Sequence, residues 1–211
     1  MEKNKSIKTI IFDLGDVVVN LDFSKFYKEI ISPSPLNKPE APLMMEFFRN
    51  SDLYHQGKMS NEEFYHMACD LLQVNSCVIN EKEFFKAFNS IISGINNDVV
   101  NLIKELASLG KFKLIALSNV NESHWNYLKK KDFDFMKYFD EMILSHEVQT
   151  IKPEQEIFQI AIEKANCKPQ EIVFVDDGLN NIKVAKDLGI VGIHFTDVSN
   201  LKEEFKKLNI L

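Results

Sequence analysis

Several apolar segments of this 211-residue chain end on acidic or polar side chains. The segments "TIIF", "LIAL" and "IVFV" are short and rich in Ile, Leu and Val, which is typical of buried parallel strands. The polar residues that directly follow them are Asp13, Ser118, Asn119, Asp176 and Asp177. Lys152 lies between the second and third of these segments, in "QTIKPE". Because ligands of open parallel sheets bind beyond the carboxyl ends of the strands, we expect these side chains to form one site.

These residue types suit phosphoryl transfer. Asp13 and Asp177 could share one Mg²⁺, with the main-chain carbonyl of Gly15 and waters completing an octahedron. Without a cation, carboxylates at close range repel each other and one takes up a proton. Ser118 could donate a hydrogen bond to one phosphoryl oxygen, and Lys152 could neutralise another. A nucleophilic carboxylate surrounded by a metal, an ammonium group and a hydroxyl provides the electrostatic stabilisation that phosphoryl transfer needs.

From residue 96 onward, helical and strand patterns alternate. The segment "DVVNLIKELASLG" predicts a helix ended by Gly110, and "NESHWNYLKKKD" predicts a helix capped by Asn121. The segment "KPEQEIFQIAIEKANC" predicts a helix that opens with a proline. Strand patterns stand between them in "FKLIALSN", "FDEMILS", "EIVFVDD" and "IVGIHFT". The rhythm predicts an α/β fold, a Rossmann-like parallel sheet with helices on both faces.

Residues 23–95 follow a different pattern. Segments such as "APLMMEFFRN" and "NEEFYHMACDLLQ" carry apolar residues at three- and four-residue spacing, which predicts four or five short amphipathic helices. Their Phe and Met residues fit the core of a helix bundle better than the lining of a ligand site. We therefore predict an α-helical cap at residues 21–95, inserted into a core domain of residues 1–20 and 96–211. "VVVNLDF" follows the first strand too closely for a helix between them, which predicts a tight turn or hairpin.

The motifs "IIFDLGDVV", "LIALSN", "IKPEQEIF" and "IVFVDDGLNNIKVAKDLGI", in this order, resemble those of the haloacid dehalogenase-like hydrolase superfamily. The helical insertion after the first motif is similar to the cap of that superfamily. The resemblance implies that Asp13 is an aspartyl nucleophile and that Ser118 binds phosphate, with Asn119 beside it. It further implies that Lys152 steadies the phosphoaspartate. Asp177 is implied as the principal magnesium ligand, with Asp176 in a supporting role.

The first motif departs from the D-x-D-G pattern usual in phosphatases of this superfamily. The acid/base aspartate two residues after the nucleophile is replaced by Gly15, and Asp16 follows it. A shift of one residue in extended backbone turns a side chain to the opposite face, so a turn role fits Asp16 better than an acid role. In the cap, His55 and Glu62 are further candidates for the missing acid. His124, Trp125 and His146 lie near the motifs and fit packing roles better.

The motif "FDLG" and the cap segment "YHQGKMSNEEF" resemble a branch of bacterial sugar-1-phosphatases. General acid help contributes roughly 10² to 10⁴ in rate. Such help matters least for a good leaving group, and an anomeric oxygen is more acidic than an ordinary alcohol. The resemblance therefore favours a small phosphorylated metabolite, above all a sugar phosphate such as a hexose 1-phosphate.

Composition restricts the partners and the environment. The net charge of −6 gives no electrostatic reason to expect nucleic acid or a membrane surface. The N-terminal segment matches neither a signal peptide nor a membrane span, and three cysteines without CxxC spacing fit reduced thiols. We expect a cytoplasmic protein, either a monomer or a weak homodimer.

Three functional hypotheses remain. The first is a magnesium-dependent phosphatase that works through an aspartyl-phosphate intermediate. The second is another reaction on the same scaffold, either a phosphomutase or a metal-free 2-haloacid dehalogenase. Gly15 disfavours the mutase, which needs an acid/base, and the pair Asp176 and Asp177 disfavours the dehalogenase, whose substrate is a carboxylate. The third is a catalytically degenerate protein that binds a phosphometabolite without turnover.

Overall fold

The computed structural model describes residues 6–36, 38–74 and 79–211. A five-stranded parallel sheet lies at its centre. Its strands are β1 (Thr9–Phe12), β4 (Lys113–Ser118), β5 (Glu141–Leu144), β6 (Ile172–Asp176) and β7 (Val191–His194). They lie side by side in the order β5-β4-β1-β6-β7. Every residue of β1 and β6 is buried, as expected for parallel strands covered on both faces. The predicted α/β fold is confirmed.

The register of the sheet brings the strand ends together. Phe12 at the end of β1 pairs with Ala116 of β4 on one side and with Val175 of β6 on the other. The first residue beyond β1 and the last residues of β4 and β6 therefore reach the same edge of the sheet. This alignment is the reason that polar residues far apart in the sequence form a single site.

Helices pack on both faces of the sheet. They are α6 (Asn97–Leu109), α7 (Glu122–Lys131), α8 (Ser145–Val148), α9 (Gln155–Ala165), α10 (Leu179–Asp187) and α11 (Val198–Lys207). One apolar cluster joins α6, α7 and α11 to the sheet, and a second joins α9 and α10 to it. Gly110 ends α6 in the left-handed conformation and Asn121 caps α7, as predicted.

The segment between the first and second sheet strands is mainly helical. It holds α1 (Ser24–Phe26), a π-helical turn (Tyr27–Ile31), α2 (Glu40–Asn50), α3 (Asp52–His55), α4 (Asn61–Leu72) and α5 (Glu81–Asn89). These elements share an apolar cluster of their own, rich in aromatic pairs such as the rings of Tyr54 and Phe64, stacked at 4.0 Å. The prediction of helices with a Phe-rich core is confirmed. The cap boundaries themselves stay a prediction.

Two short strands at the ends of the helical segment correct the hairpin expectation. A tight turn does follow β1, since the N–H groups of Val18 and Val19 both donate to the carbonyl of Leu14. However, β2 (Val19–Leu21) pairs antiparallel with β3 (Ile92–Ile95) and not with β1. The physical reason is that both edges of β1 are already occupied, by β4 and β6. The end of the region predicted as an α-helical cap, residues 21–95, is thus a strand and not a helix.

Cys69 and Cys167 are free thiols, the first buried and the second half-buried, whereas Cys77 lies outside the described residues. Within the described ranges, no helix combines the length and apolar character needed to span a membrane.

Candidate active site

A buried ion cluster lies at the carboxyl end of the sheet. The ammonium group of Lys152 is 2.8 Å from Oδ1 of Asp13 and 2.7 Å from Oδ2 of Asp176. The lysine side chain is only 1% exposed, so these contacts are shielded from solvent. Burial opposes the charge on Lys152, but the two carboxylates outweigh it and raise the pKa of the lysine. Lys152 is therefore a permanent cation at the base of the site.

Asp176 is held from all sides. Its Oδ1 accepts hydrogen bonds from the N–H of Gly178 at 2.7 Å and from Nδ2 of Asn181 at 2.9 Å, while Oδ2 receives Lys152. The residue is fully buried. Both oxygens thus have protein partners, and this arrangement fixes the lysine in front of Asp13.

The backbone of Lys152 is positioned by the second motif. Nδ2 of Asn119 donates to the carbonyl of Lys152, and the N–H of Lys152 donates to Oδ1 of Asn119, both at 2.8 Å. This reciprocal pair locks the loop before α9 onto the end of β4. The proline pattern predicted that Lys152 opens the helix. In the structure, Lys152 lies in the preceding loop, because α9 begins at Gln155. The peptide bond from Lys152 to Pro153 is cis.

Asp13 keeps one oxygen available. Its Oδ1 accepts from Lys152 and from the N–H of Leu14 at 2.6 Å. Among the described residues, no hydrogen bond reaches Oδ2. Burial raises the pKa of Asp13 to about 7, with Asp176 adding to the rise and Lys152 opposing it. The carboxylate is thus oriented by its inner oxygen while the other oxygen is free to react or to bind a cation.

The donor set fits a divalent cation. Oxygen atoms of Asp13, Asp176 and Asp177 lie within 4.8 Å of one another. Burial and the nearby charges of Asp176 and Asp16 raise the pKa of Asp177 as well. Lys152 supplies only one positive charge against these carboxylates. A hard cation bound by oxygen ligands would balance the remainder, and Mg²⁺ has this preference.

The cluster opens into a cavity of about 300 Å³. Of the residues expected in the site, those that line it are Asp13, Gly15, Ser118, Asn119, Lys152 and Asp177. Asp176 lies behind the wall, fully buried. The structure thus brings the sequence-predicted residues together in one place, but their individual roles stay predictions.

Asp16 lies at the rim of the same cavity. Its backbone has a φ of 50°, so it takes the left-handed conformation in the turn after β1. Its Oδ1 accepts from the N–H of Leu21 at 3.1 Å, and its N–H donates to the carbonyl of Val19. The side chain therefore has the turn role expected for it. Its carboxylate is also near enough to help raise the pKa of Asp177.

The other candidate acids are placed differently. His55 and His124 line the cavity, but both ring nitrogens of each histidine already have hydrogen-bond partners within the protein. Glu62 points outward on α4 with a side chain 78% exposed. His146 contacts the carbonyl of Val120, so the lysine is oriented by Asn119 instead.

Sequence reasoning missed two residues near the site. Asn181 holds Asp176, and Asn121 connects two histidines at the far end of the cavity. Asn121 had a visible signal as a helix cap, but its contact with His55 joins positions 66 residues apart and leaves no local pattern.

The comparisons with known proteins agree with this geometry. A family model described as "haloacid dehalogenase-like hydrolase" matches residues 7–189. A D-ribitol-5-phosphate phosphatase of Bacteroides thetaiotaomicron is 27% identical and covers 87% of this chain and 89% of its own length. A phosphorylated carbohydrates phosphatase of Thermotoga maritima is 24% identical, with 89% and 84% covered.

Solved structures give the same result. A haloacid dehalogenase family enzyme from Bacteroides thetaiotaomicron, in complex with magnesium and inorganic phosphate, is 28% identical with a TM-score of 0.75. It covers 93% of this chain and 99% of that chain. The chain therefore belongs to the haloacid dehalogenase-like hydrolases. The family and the enzyme class predicted from the sequence are confirmed.

Proposed function

We propose that this hydrolase is a magnesium-dependent phosphatase of a small phosphorylated metabolite. The observation that carries the proposal is the cavity in which Asp13, Ser118, Lys152 and Asp177 meet. A carboxylate with one free oxygen, a buried ammonium group and a surplus of negative charge suited to a cation form a phosphoryl-transfer site. Two relatives that are named phosphatases, and that align with this chain over most of their length, support the same reaction.

The reaction proceeds in two displacements. A carboxylate oxygen of Asp13 attacks phosphorus, the bond from phosphorus to the ester oxygen breaks, and the leaving alkoxide takes a proton from solvent water. Water then attacks the phosphorus of the aspartyl phosphate. This step releases inorganic phosphate and restores the carboxylate of Asp13.

The surrounding residues stabilise the charge that develops. Lys152 holds Asp13 in position and faces the equatorial oxygens, and the hydroxyl of Ser118 donates to one of them. Asp13, Asp177 and the carbonyl of Gly15 are the residues that would hold Mg²⁺, with Asp176 supporting them. The bound cation supplies positive charge next to the phosphoryl group.

A sugar phosphate is the first candidate substrate, with a hexose 1-phosphate among the possibilities. The named relatives act on ribitol 5-phosphate and on phosphorylated carbohydrates, and a good leaving group would compensate for the glycine at position 15.

A phosphate ester of an apolar alcohol is the second candidate. Apart from the polar residues of the site, the cavity is lined mainly by apolar side chains, namely Leu14, Val19, Leu21, Phe23, Phe48, Ile91, Ile92, Val120 and Leu128. The polar groups of Asn119, His55 and His124 in this wall already bond to other protein groups. Burying a hydroxyl that finds no partner costs free energy, so such a wall disfavours a polyol.

The test is a phosphate-release assay on p-nitrophenyl phosphate, sugar phosphates and alkyl phosphates, with Mg²⁺ or with EDTA. Release that requires Mg²⁺ and disappears in Asp13→Asn is the expected result. Higher kcat/KM for alkyl than for sugar phosphates would select the second candidate. Halide release from 2-haloacids in EDTA, or silence despite beryllofluoride binding, would contradict the phosphatase. A cytoplasmic location and a monomeric or weakly dimeric state stay predictions.

A further inference from the structure

A hydrogen-bonded chain of neutral side chains joins the cap to the core at the far end of the cavity. Nδ2 of Asn121 lies 3.2 Å from Nε2 of His55 and 3.2 Å from Nδ1 of His124. The other ring nitrogens contact cap carbonyls, Nδ1 of His55 that of Ser51 and Nε2 of His124 that of Phe88, both at 3.0 Å. We refer to His55, Asn121 and His124 as the junction.

The partners assign the protons of the junction. A carbonyl can only accept, so Nδ1 of His55 and Nε2 of His124 carry the hydrogens. The remaining ring nitrogens must accept, and the two hydrogens of the Asn121 amide point at them. Every donor therefore meets an acceptor only while both rings are neutral. A proton on either ring would place a ring N–H against the amide N–H.

Asn121 lies between two separate cap elements. His55 ends α3, and Phe88 belongs to α5 and stacks on His124 with ring centroids 4.2 Å apart. Asn121 itself is fully buried, and its Oδ1 caps α7 by accepting from the N–H of His124. One carboxamide thus holds the start of a core helix and two cap helices at the same time.

The junction is also tied to the catalytic loops. Asn121 follows Ser118 and Asn119 by three and two positions in the loop between β4 and α7. Nearby, the hydroxyl of Ser145 contacts the carbonyl of His55 at 2.7 Å and accepts from the N–H of Val120 at 2.9 Å. The cap is therefore fastened to the loop that carries the expected phosphate-binding hydroxyl.

We propose that Asn121 is a positioning residue that holds α3 and α5 over the catalytic loop and thereby forms the leaving-group end of the cavity. The amide acts through His55 and His124, whose rings line the cavity, and does not touch the phosphoryl group. The effect on catalysis rests on the proposed phosphatase function. The cap attachment does not depend on it.

The junction makes the attachment sensitive to pH. The ionisable groups that face it are Asp52 and His146 beside His55, and the two histidines beside each other. Burial lowers the pKa of both rings, to about 4 for His124, with the neighbouring histidines adding to the shift and Asp52 opposing it at His55. Because the neutral forms fit, the attachment is present at neutral pH and is lost as the pH falls through these lowered values.

The decisive variant is Asn121→Asp. Aspartate keeps the size and the helix cap but presents only acceptors, so the junction then requires protonated rings. Hydrogen-exchange protection of α3 and α5 is measured at pH 8 and pH 5.5, as protection factors that remove the intrinsic pH dependence. In the variant, protection should rise on acidification by about tenfold or more, since a carboxylate raises a neighbouring pKa by about one unit or more. In the wild type it should stay constant or fall.

The fluorescence of Trp125 gives a second readout. This single tryptophan is 9% exposed and lines a cleft between the core and the cap residues Tyr54 and Gly57. On acidification from pH 8 to 5.5, its emission in Asn121→Asp should shift toward that of a more buried tryptophan, whereas in the wild type it should stay constant or shift the opposite way. An identical pH response in both proteins would overturn the proposal.

Two further variants keep the test decisive if Asn121→Asp folds poorly. Asn80→Asp makes the same change at a helix cap that contacts Glu83 and, within the described part of the chain, no histidine, so it should behave as the wild type. His55→Gln retains an acceptor for Asn121 but cannot be protonated, so it should keep the cap attached and weaken the acid response. Loss of attachment in His55→Gln at pH 8 would contradict the proposal.

Kinetics separate positioning from a general loss of structure. For Asn121→Asp at pH 8, KM for p-nitrophenyl phosphate should rise about tenfold, while acetyl phosphate, with its small leaving group, should change less than twofold. Equal changes for both substrates would contradict a leaving-group role. If neither substrate is hydrolysed by the wild type, the phosphatase proposal fails, while the exchange and fluorescence measurements still decide the role of Asn121.

Discussion

Two buried polar networks at opposite ends of the cavity meet opposite electrostatic requirements. The ion cluster of Asp13, Lys152 and Asp176 holds more negative than positive charge. The junction at the other end of the cavity is neutral, and each of its donors meets an acceptor. A satisfied neutral network specifies one geometry, whereas an unbalanced charged network retains a demand for a cation and a substrate. Charge imbalance therefore marks the end of the cavity that performs chemistry, the chemical end, and charge balance marks the end that holds the cap in place.

The largest expected effect comes from Asp13→Asn, which breaks the chemical end alone. Phosphate release should fall by roughly 10⁴-fold or more, as when a catalytic nucleophile is removed elsewhere. The fold should remain as stable as in the wild type, because Lys152 and Asp176 are left as a balanced pair. Activity and thermal melting are measured together, with the exposed Asp187→Asn as control. A strongly lowered melting temperature in Asp13→Asn would contradict the claim that the ion cluster holds an excess of negative charge.

Removing the cation of the cluster should have the opposite effect on stability. Lys152→Met leaves two buried carboxylates unpaired and should lower the free energy of unfolding by about 3–5 kcal/mol at pH 8. Asp13 has a pKa of about 7 even beside the lysine, raised by burial, so its folded-state pKa lies above the unfolded value. The loss should therefore shrink as the pH falls from 8 to 5, because the carboxyl of Asp13 becomes neutral over this range.

Urea denaturation of Lys152→Met without metal provides this measurement. The control is Lys164→Met, which removes an exposed partner of Glu141 and should leave the denaturation midpoint unchanged. A stability loss in Lys152→Met that grows on acidification would contradict the electrostatic account.

Magnesium should stabilise the protein through the chemical end only. At a concentration near 100 times its dissociation constant, Mg²⁺ should add about 2.7 kcal/mol to the free energy of unfolding. Asp177→Asn should lose most of this stabilisation by Mg²⁺. Asp16→Asn should retain it if the role of Asp16 is to stabilise the turn after β1. Melting curves with Mg²⁺ and with EDTA decide the matter. An unchanged gain in Asp177→Asn would remove Asp177 from the metal site.

The smallest effect expected concerns the missing acid. A Cβ on Gly15 would meet only Leu21 Cδ1, at 3.4 Å, so Gly15→Asp fits without strain. It should raise the rate on poor leaving groups by about tenfold, a modest part of what a general acid contributes. Gly15→Asn is the matched control, because its side chain has nearly the same shape but no carboxyl proton to donate. If Gly15→Asp has no effect while Asp16→Asn removes activity, Asp16 is the acid and the turn role is insufficient.

Much of the fold and of the site was predictable from local pattern. The apolar runs with polar ends predicted the parallel sheet and the side chains at its edge, because burial on both faces imposes a continuous apolar sequence. The pairing of β2 with β3 was not predictable, since it depends on both edges of β1 being taken. The backbone contacts of Asn119 with Lys152 were equally hidden, because they join positions 33 residues apart.

The sequence by itself determined which residues bring charge to the edge of the sheet, since strand periodicity and motif order are local properties. Only the tertiary structure decided that Lys152 is shared by Asp13 and Asp176, and that Asn121 lies between two histidines. The physical reason is that hydrogen bonds and ion pairs depend on distance in space. A residue's type gives its capacity to bond, but the partner that meets this capacity is set by the packing of elements distant in the chain.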